Sequence, residues 1–295
     1  GQNDLIIGDN GELSFEAQAV GQFEPGITIY TNAGNRMFDL HKNIVTNGSI
    51  VYLNYRDYNQ DANLDLVAIS QGQITINALF QVVIIDPFIH VFKGTNDGLR
   101  DTASFDIEIS QDPYTSALAD FDQDGKDDLI VSFVGEMDLL EPTGENAFVG
   151  IYRNNGESFV QLTTVPIDAI GYQVMPNDFD LDGDIDFSVT AEKVIPLAAG
   201  KEYEPYVKFY ENDGSNNFTE LTVPNEITGQ PEPKFLVERL PRYAVSEDLD
   251  NDGDVDVAVL CSIKDAAEFG TSAEGKVHVL TNLANTSTIS EWMHY

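Results

Sequence analysis

A nine-residue acidic stretch that returns four times constrains this chain more than any other feature. It reads Asp57-Tyr-Asn-Gln-Asp-Ala-Asn-Leu-Asp65, Asp120-Phe-Asp-Gln-Asp-Gly-Lys-Asp-Asp128, Asp178-Phe-Asp-Leu-Asp-Gly-Asp-Ile-Asp186 and Asp248-Leu-Asp-Asn-Asp-Gly-Asp-Val-Asp256. The shared form is D-x-D-x-D-G-x-x-D, and successive starts lie 63, 58 and 70 residues apart. A second element keeps the same step: an apolar run ending in an aromatic, then Asn and Gly, then Phe. It appears as Tyr30, Asn32, Gly34 and Phe38, as Tyr152, Asn154, Gly156 and Phe159, and as Tyr210, Asn212, Gly214 and Phe218. A looser copy runs from Phe92 through Gly94 and Gly98 to Phe105, and the last, Leu280 to Asn282, lacks the Gly and the Phe. Self-similarity at such a period marks a repeat architecture whose units bury their apolar faces against each other.

Each repeat reads as strands. A short β-rich run follows every acidic loop: Leu64 to Ile69, Leu129 to Val134, Phe187 to Thr190 and Val257 to Cys261. Asn-Gly and Asp-Gly pairs between apolar runs mark tight hairpins, and no long segment holds a capped 3.6-residue period. A unit of about 60 residues fits a four-stranded antiparallel propeller blade. The predicted order is strand A, acidic loop, strand B, variable loop, strand C, Asn-Gly turn, strand D. The fold class is therefore all-β, a β-propeller of four-stranded antiparallel blades. Five blades are expected in a single domain over 1–295, with repeats near 1–45, 46–110, 111–167, 168–225 and 240–295. The first repeat lacks its acidic loop, so residues 3 to 20 are expected to supply its missing inner strands, or the C-terminus to pair with it.

The loop chemistry points to calcium. Carboxylates at positions 1, 3 and 5 of a tight loop converge on one point, and Gly125, Gly183 and Gly253 at position 6 permit the sharp turn. The position-7 carbonyl adds an oxygen and the position-9 Asp closes the shell. An all-oxygen, strongly anionic, flexible cage suits Ca²⁺ better than Mg²⁺, which prefers rigid octahedral geometry and keeps its water. An EF-hand would need a Glu at position 12 between helices; here position 12 is Val131, Val189 and Val259 inside expected strands. A solvated acidic turn without metal is the competing reading, and its recurrence at one period argues against it. The first loop departs from the pattern: Asn59 replaces a carboxylate, and Ala62 stands where Gly is expected. Holding Ala at positive φ costs about 1 kcal/mol. Three strong sites and one weaker are expected, the weaker formed by Asp57, Asn59, Asp61 and Asp65.

Composition narrows the function. Against 15 basic residues stand 50 acidic ones, a formal net charge of −35. Nucleic-acid binding needs clustered Lys and Arg, and docking on an anionic membrane needs positive charge, so neither is expected. No apolar run reaches the roughly 18 residues of a membrane-spanning helix. The absence of an initiator Met and of a signal pattern at Gly1 suggests a processed or trimmed chain. One cysteine, Cys261, excludes an internal disulfide framework and any Cys-rich zinc site.

These loops resemble the FG-GAP/VCBS repeat family, the β-propeller repeats also found in the heads of integrin α-subunits. The resemblance runs over about residues 27 to 295 and is most specific at the loops beginning at 120, 178 and 248. It implies a calcium-stapled propeller, extracytoplasmic and engaged in adhesion or recognition. It also implies ligand roles for Asp120, Asp122, Asp124 and Asp128, for Asp178, Asp180, Asp182 and Asp186, and for Asp248, Asp250, Asp252 and Asp256. Seven-bladed relatives at this period would need about 420 residues, so five blades fit the length better.

In an antiparallel blade the A–B and C–D turns share one end and the B–C and D–A loops the other. Calcium loops therefore gather at one end, with variable loops near 70–88, 135–147, 192–205, 224–243 and 263–276 opposite, as in a scaffold with a recognition face. Lys234, Arg239 and Arg242 cluster in the 224–243 connector, where they either contact an anionic ligand or balance nearby carboxylates. Tyr203 and Tyr206 flank Pro205 and could stack on a sugar or simply pack. His41, His90, His278 and His294 share no ligand spacing, and His90 and His278 fall at matching strand-C positions. Cys261 reads as a buried thiol. Sequons at Asn47, Asn217 and Asn285 decide nothing. No G-x-S-x-G, H-E-x-x-H or phosphate loop is present. The sequence thus points to a non-catalytic, monomeric, calcium-binding propeller on an extracytoplasmic surface, meeting a protein or glycan partner. The alternative is a glycosidase or polysaccharide lyase, which would need paired carboxylates outside the calcium loops, or a lectin that binds glycans without cleavage.

Overall fold

The computed structural model of the chain describes residues 4–9, 25–35, 37–46, 48–76, 81–138, 141–198, 200–224, 231–232, 234–262, 275–282 and 293–294. Every regular element among them is a β-strand, and none is a helix long and apolar enough to cross a membrane. The chain forms two compact units. The first comprises Gly1–Tyr114 with Gly156–Ser158, and the second Thr115–Asn155 with Phe159–Tyr295.

The first unit holds two larger sheets. Its N-terminal sheet has three strands, Leu5–Asp9, Gly26–Gly34 and Met37–Val45, in that spatial order. Leu5–Asp9 pairs antiparallel with Gly26–Gly34 and so occupies the place of strand B, as expected for the segment after residue 3; residues 10–24 lie outside the described residues. The second sheet carries the Asp57 loop. Its strands Ser49–Arg56, Asp65–Gln71, Phe88–Phe92 and Phe105–Glu108 follow one another across the sheet as A, B, C and D. Ile27, Ile29 and Ile44 from one sheet and Ile50, Leu66, Ala68 and Phe92 from the other form the core between them.

The second unit holds three sheets of the same A-B-C-D order. The Asp120 sheet is Pro113–Ala119, Asp128–Phe133, Phe148–Asn154 and Phe159–Pro166. The Asp178 sheet is Ile170–Asn177, Asp186–Pro196, Lys201–Asn212 and Phe218–Glu220, with Phe235–Leu236 added to strand C. The Asp248 sheet is Tyr243–Glu247, Asp256–Ser262, Gly275–Thr281 and Met293–His294. Each acidic loop joins A to B, as predicted, and the position-9 Asp is itself the first residue of strand B.

In the Asp57, Asp120 and Asp178 sheets the first six residues of strand B are all buried, which is why strand B reads there as a continuous apolar run rather than an alternating one. All six residues of Asp128–Phe133 are buried. The covering follows a register rule. The residue one beyond the position-9 Asp faces the preceding sheet: Phe187 packs with Ile130, Val149 and Ile151 of the Asp120 sheet, and Val257 packs with Met175, Val207 and Phe209 of the Asp178 sheet. The residue two beyond faces the following sheet, as Ile130 does. These four-stranded antiparallel sheets are blades of the β-propeller kind.

The variable connections are more ordered than expected. The 192–205 segment is not a long loop: strands B and C of the Asp178 sheet run on through Pro196 and Lys201 in unbroken register. Residues 70–88 contain a hairpin, Gln73–Ile76 with Val82–Ile85, and 135–147 a shorter one at Met137–Asp138 and Glu141–Pro142. Within 224–243, Pro224 pairs with Pro231 and Phe235–Leu236 joins strand C. Almost all of 263–276 lies outside the described residues, as do Asn47, Asn285 and Pro233.

Candidate metal centres

Each acidic loop is written by backbone hydrogen bonds to its own carboxylates. The position-1 Asp accepts from the amide of position 6 and, in every loop but the Asp178 one, from that of position 5 as well. Asp124 N donates to Asp120 Oδ1 at 3.0 Å and Gly125 N to Asp120 Oδ2 at 2.8 Å. Asp252 N and Gly253 N donate to Asp248, both at 3.1 Å, and Gly183 N donates to Asp178 Oδ2 at 3.1 Å. Folding the chain back this tightly takes two left-handed residues. Position 6 is one, with φ of 87° at Gly125 and 99° at Gly183 and Gly253. Position 4 is the other, with φ of 60° at Gln60, 56° at Gln123, and 64° at both Leu181 and Asn251. Side chains at position 4 gave no hint of this, because the same strained conformation is taken there by Gln, Leu and Asn.

The loop closes on strand B. Asp128 Oδ1 accepts Asn154 N at 2.7 Å and its Oδ2 accepts Phe121 N at 3.2 Å. Asp186 takes Asn212 N at 2.8 Å and Phe179 N at 3.0 Å, and Asp256 takes Asn282 N at 2.8 Å and Leu249 N at 2.9 Å. All three are buried. Taking a carboxylate out of water disfavours its charge, and neighbouring Asp residues oppose it further. Burial first, then Asp122 and Asp120, push Asp128 up to about 6 against the downward pull of its two amide donors. Burial, then Asp180 and Asp182, push Asp186 up to about 7.

Three carboxylate groups result: Asp120, Asp122 and Asp128; Asp178, Asp180 and Asp186; and Asp248, Asp250 and Asp256. In each, one oxygen per residue lies within 4.8 Å of the others. Positions 1, 3 and 9 thus converge as expected. The position-5 residues Asp124, Asp182 and Asp252 stand outside these groups; each accepts the amide of position 7, at 3.0, 2.9 and 3.2 Å. The donor set fits a hard divalent cation, being oxygen throughout and rich in charge. Asp178 Oδ1 is buried with no hydrogen-bond partner, the kind of vacancy that a cation fills. In the Asp120 loop protein cations already lean on the carboxylates: Arg153 reaches Asp122 at 2.6 Å and Lys126 reaches Asp124 at 3.0 Å.

The first loop keeps the backbone and loses part of the donor set. Asp61 N and Ala62 N donate to Asp57 at 3.0 and 2.9 Å, and Ala62 sits at φ 71° as the missing Gly predicts. Asn59 leaves two carboxylates, Asp57 and Asp65, at positions 1, 3 and 9. Asp65 Oδ1 accepts Gly94 N at 2.7 Å, while its Oδ2 is buried and unpartnered.

Residues 57–131 match the family model described as FG-GAP-like repeat. That stretch is an FG-GAP-like repeat. The matched span begins at Asp57, passes through the remaining strands of its sheet, and ends in strand B after the Asp120 loop, so it covers one full period of the FG-GAP-like repeat. No curated protein matches the sequence. In the Asp178 and Asp248 sheets, the Asn that closes strand C looked like a turn marker in the sequence; the structure makes it a clasp. Asn212 Nδ2 donates to Ile185 O at 3.1 Å and to Phe121 O of the preceding loop at 3.3 Å. Asn282 Nδ2 likewise reaches Phe179 O at 2.7 Å. Gln123 adds a second link, donating to Gly183 O at 2.9 Å and Asp184 Oδ1 at 2.6 Å. The signal was present in the common spacing of 26 residues between position 9 and this Asn.

The other candidates resolve as structural. Arg239 pairs with the buried Glu192 at 3.0 Å and lies 3.7 Å over the Tyr203 ring, and Lys234 pairs with Glu204. Arg242 is exposed. Tyr206 is buried and donates to Ile167 O. The connector's Arg239 and Lys234 therefore balance carboxylates, and the two tyrosines pack. Cys261 is a buried free thiol pushed up to about 11 by burial. His90 and His278 hold matching places, each paired with the residue three beyond a position-9 Asp. His90 bridges Asp106 at 2.7 Å and Ser70 at 3.0 Å. This is a Ser–His–Asp order with the exposure reversed, since Ser70 is fully buried and Asp106 is open. A nucleophile must reach its substrate, so the chain of bonds serves the sheet.

Proposed function

We propose that the Asp120, Asp178 and Asp248 loops each hold a calcium ion, and that the Asp57 loop holds one more weakly. The ions act as structural staples in a non-catalytic propeller. The observation that carries this is the threefold convergence of carboxylates at positions 1, 3 and 9. In each group the innermost member is buried and hydrogen-bonded to backbone amides. Calcium there would offset the mutual repulsion of the carboxylates and tie strand A to strand B in each blade. The ligands in this reading are Asp120, Asp122, Asp124 and Asp128; Asp178, Asp180, Asp182 and Asp186; Asp248, Asp250, Asp252 and Asp256; and, more weakly, Asp57, Asn59, Asp61 and Asp65. Several modest sites fill readily where free calcium is high, which supports an extracytoplasmic setting. The hairpins at the opposite ends of the sheets would meet a protein or glycan partner, the role that loops on a rigid repeat scaffold commonly take.

The deciding experiment is calorimetric calcium titration of chelator-stripped protein, with magnesium as competitor. Three tight events and a fourth weaker one, poorly competed by magnesium, are expected. Absence of any binding would sink the metal reading. Recognition is tested separately by binding to glycan and protein arrays in calcium and in chelator; a purified chain that turns over a glycan would overturn the non-catalytic part.

A further inference from the structure

The Asp120 and Asp178 loops are bonded to each other along two separate routes. One is buried. Phe121 N donates to Asp128 of its own loop, Phe121 O accepts from Asn212 Nδ2, and Asn212 N donates to Asp186 of the next loop. Two innermost carboxylates are thereby joined through one residue of each sheet. The Asp178 and Asp248 loops repeat this route, from Asp186 through Phe179 and Asn282 to Asp256.

The second route is exposed and starts at Gln123. This residue stands between Asp122 and Asp124 and is held left-handed at φ 56°. Its Nε2 crosses to the Asp178 loop, where it donates to Gly183 O at 2.9 Å and to Asp184 Oδ1 at 2.6 Å. Gly183 is the turn residue there, with φ of 99°, and Asp184 N donates to Asp182 at 2.9 Å. Both ends of the link thus lie in the parts of the two loops that a cation would fix. The matching residue of the Asp178 loop, Leu181, takes the same left-handed conformation but has no side-chain donor to offer the Asp248 loop.

We propose, on the calcium reading of these loops, that Gln123 couples the Asp120 and Asp178 sites, so that a cation in one raises the affinity of the other. Without a cation the converging carboxylates repel and loosen the turn. A cation draws Asp120, Asp122 and Asp128 together and fixes the backbone that carries Gln123, so the Gly183–Asp184 turn meets a donor already in place. The neighbouring loop then loses less conformational freedom on binding, and the effect is reciprocal. Charge acts the other way: each cation weakens the negative field that attracts the next, an effect that salt screens. At physiological ionic strength the direct link prevails.

The test follows the amide signals of Gly125, Gly183 and Gly253 by nuclear magnetic resonance during calcium titration of the chelator-stripped chain, one reporter for each loop. Asp180→Asn gives the Asp178 loop the Asn59 arrangement, and the Gly183 signal verifies that this loop then fills late. In that variant the calcium midpoint at Gly125 should rise about fivefold; the midpoint at Gly253, whose loop is joined without a position-4 donor, should rise less. Gln123→Leu installs the residue that the Asp178 loop already carries at this position. Circular dichroism checks that it folds, and should it fail, Gln123→Ala takes its place. In the Gln123→Leu background, Asp180→Asn should move the Gly125 midpoint no further than the Gly253 one. Two results overturn the coupling while leaving the calcium reading intact: a Gly125 midpoint that Asp180→Asn does not raise, and a rise that persists in full without Gln123, as a purely electrostatic effect would. Glycine signals that do not respond to calcium at all overturn both.

Discussion

The Asp57 loop and the Asp178 loop have nearly the same backbone and different chemistry. Both fold the chain back onto a position-1 Asp, both hold position 4 left-handed, and both end on a buried Asp that opens strand B. In the Asp178 loop, Gly183 takes the second left-handed position and three carboxylates converge. In the Asp57 loop Ala62 takes that position, Asn59 replaces one carboxylate, and Gly94 stands where Asn212 clasps the neighbouring loop. The turn therefore depends on amides bonding to the first Asp, which any residue supplies. The convergence of three carboxylates depends on side-chain identity at position 3, where Asn59 stands in place of Asp180. A loop can keep its shape while its carboxylate set shrinks.

Removing calcium from the whole chain breaks the comparison most strongly. A site saturated a hundredfold above its dissociation constant contributes about 2.7 kcal/mol, and 1 kcal/mol shifts the melting temperature by about 2–4 °C in domains of this size. Three filled loops should therefore give a fall of roughly 15 °C or more on adding chelator, read by calorimetric melting. Single substitutions separate the loops next. Asp186→Asn should remove one tight event from the calcium titration, whereas Asp65→Asn should leave the number of tight events unchanged. Equal losses from both would mean that the two loops are equivalent.

Repair of the first loop sharpens the contrast from the other side. Asn59→Asp with Ala62→Gly restores the third carboxylate and relieves about 1 kcal/mol of backbone strain. A fourth tight event should appear in the titration; an unchanged isotherm would place the defect elsewhere, with Gly94 the next difference to examine.

A smaller effect follows from protonation in the metal-free chain. Asp128 and Asp186 titrate at about 6 and about 7 when folded, above the ordinary 3.8. Between those limits the folded state binds more protons than the unfolded one, so their contribution to stability is lost as pH rises through the folded values. Melting temperature in chelator should fall from pH 5 to pH 8. With calcium present the trend should reverse, since acid then protonates the ligands. The smallest signal is at Cys261. A buried thiol raised to about 11 should resist alkylation at pH 8 until the Asp248 sheet unfolds, and mass spectrometry after timed iodoacetamide treatment reads it.

Much of the site was legible in the chain because its determinants are local. Nine consecutive residues carry the carboxylates and the Gly at position 6, and the β-rich run follows directly, so the period, the A-B-C-D order and the first loop's departure from the pattern could be read directly. Position 4 was not legible, because backbone hydrogen bonding rather than side-chain preference drives Gln123 and Leu181 to positive φ. The clasp was missed because Asn212 and Phe121 lie 91 residues apart, and the order in residues 192–205 because only the cross-strand ladder reveals it.

By itself, then, the sequence determined the repeat, the all-strand blade and the convergence of carboxylates, all properties of contacts within one period. Tertiary structure decided what each period does to the next. It buried Asp128, Asp186 and Asp256 under the end of strand C and tied Arg239 and Lys234 to carboxylates. Those outcomes depend on which residues stand opposite one another across strands and sheets. That register is set by packing among segments far apart in the chain.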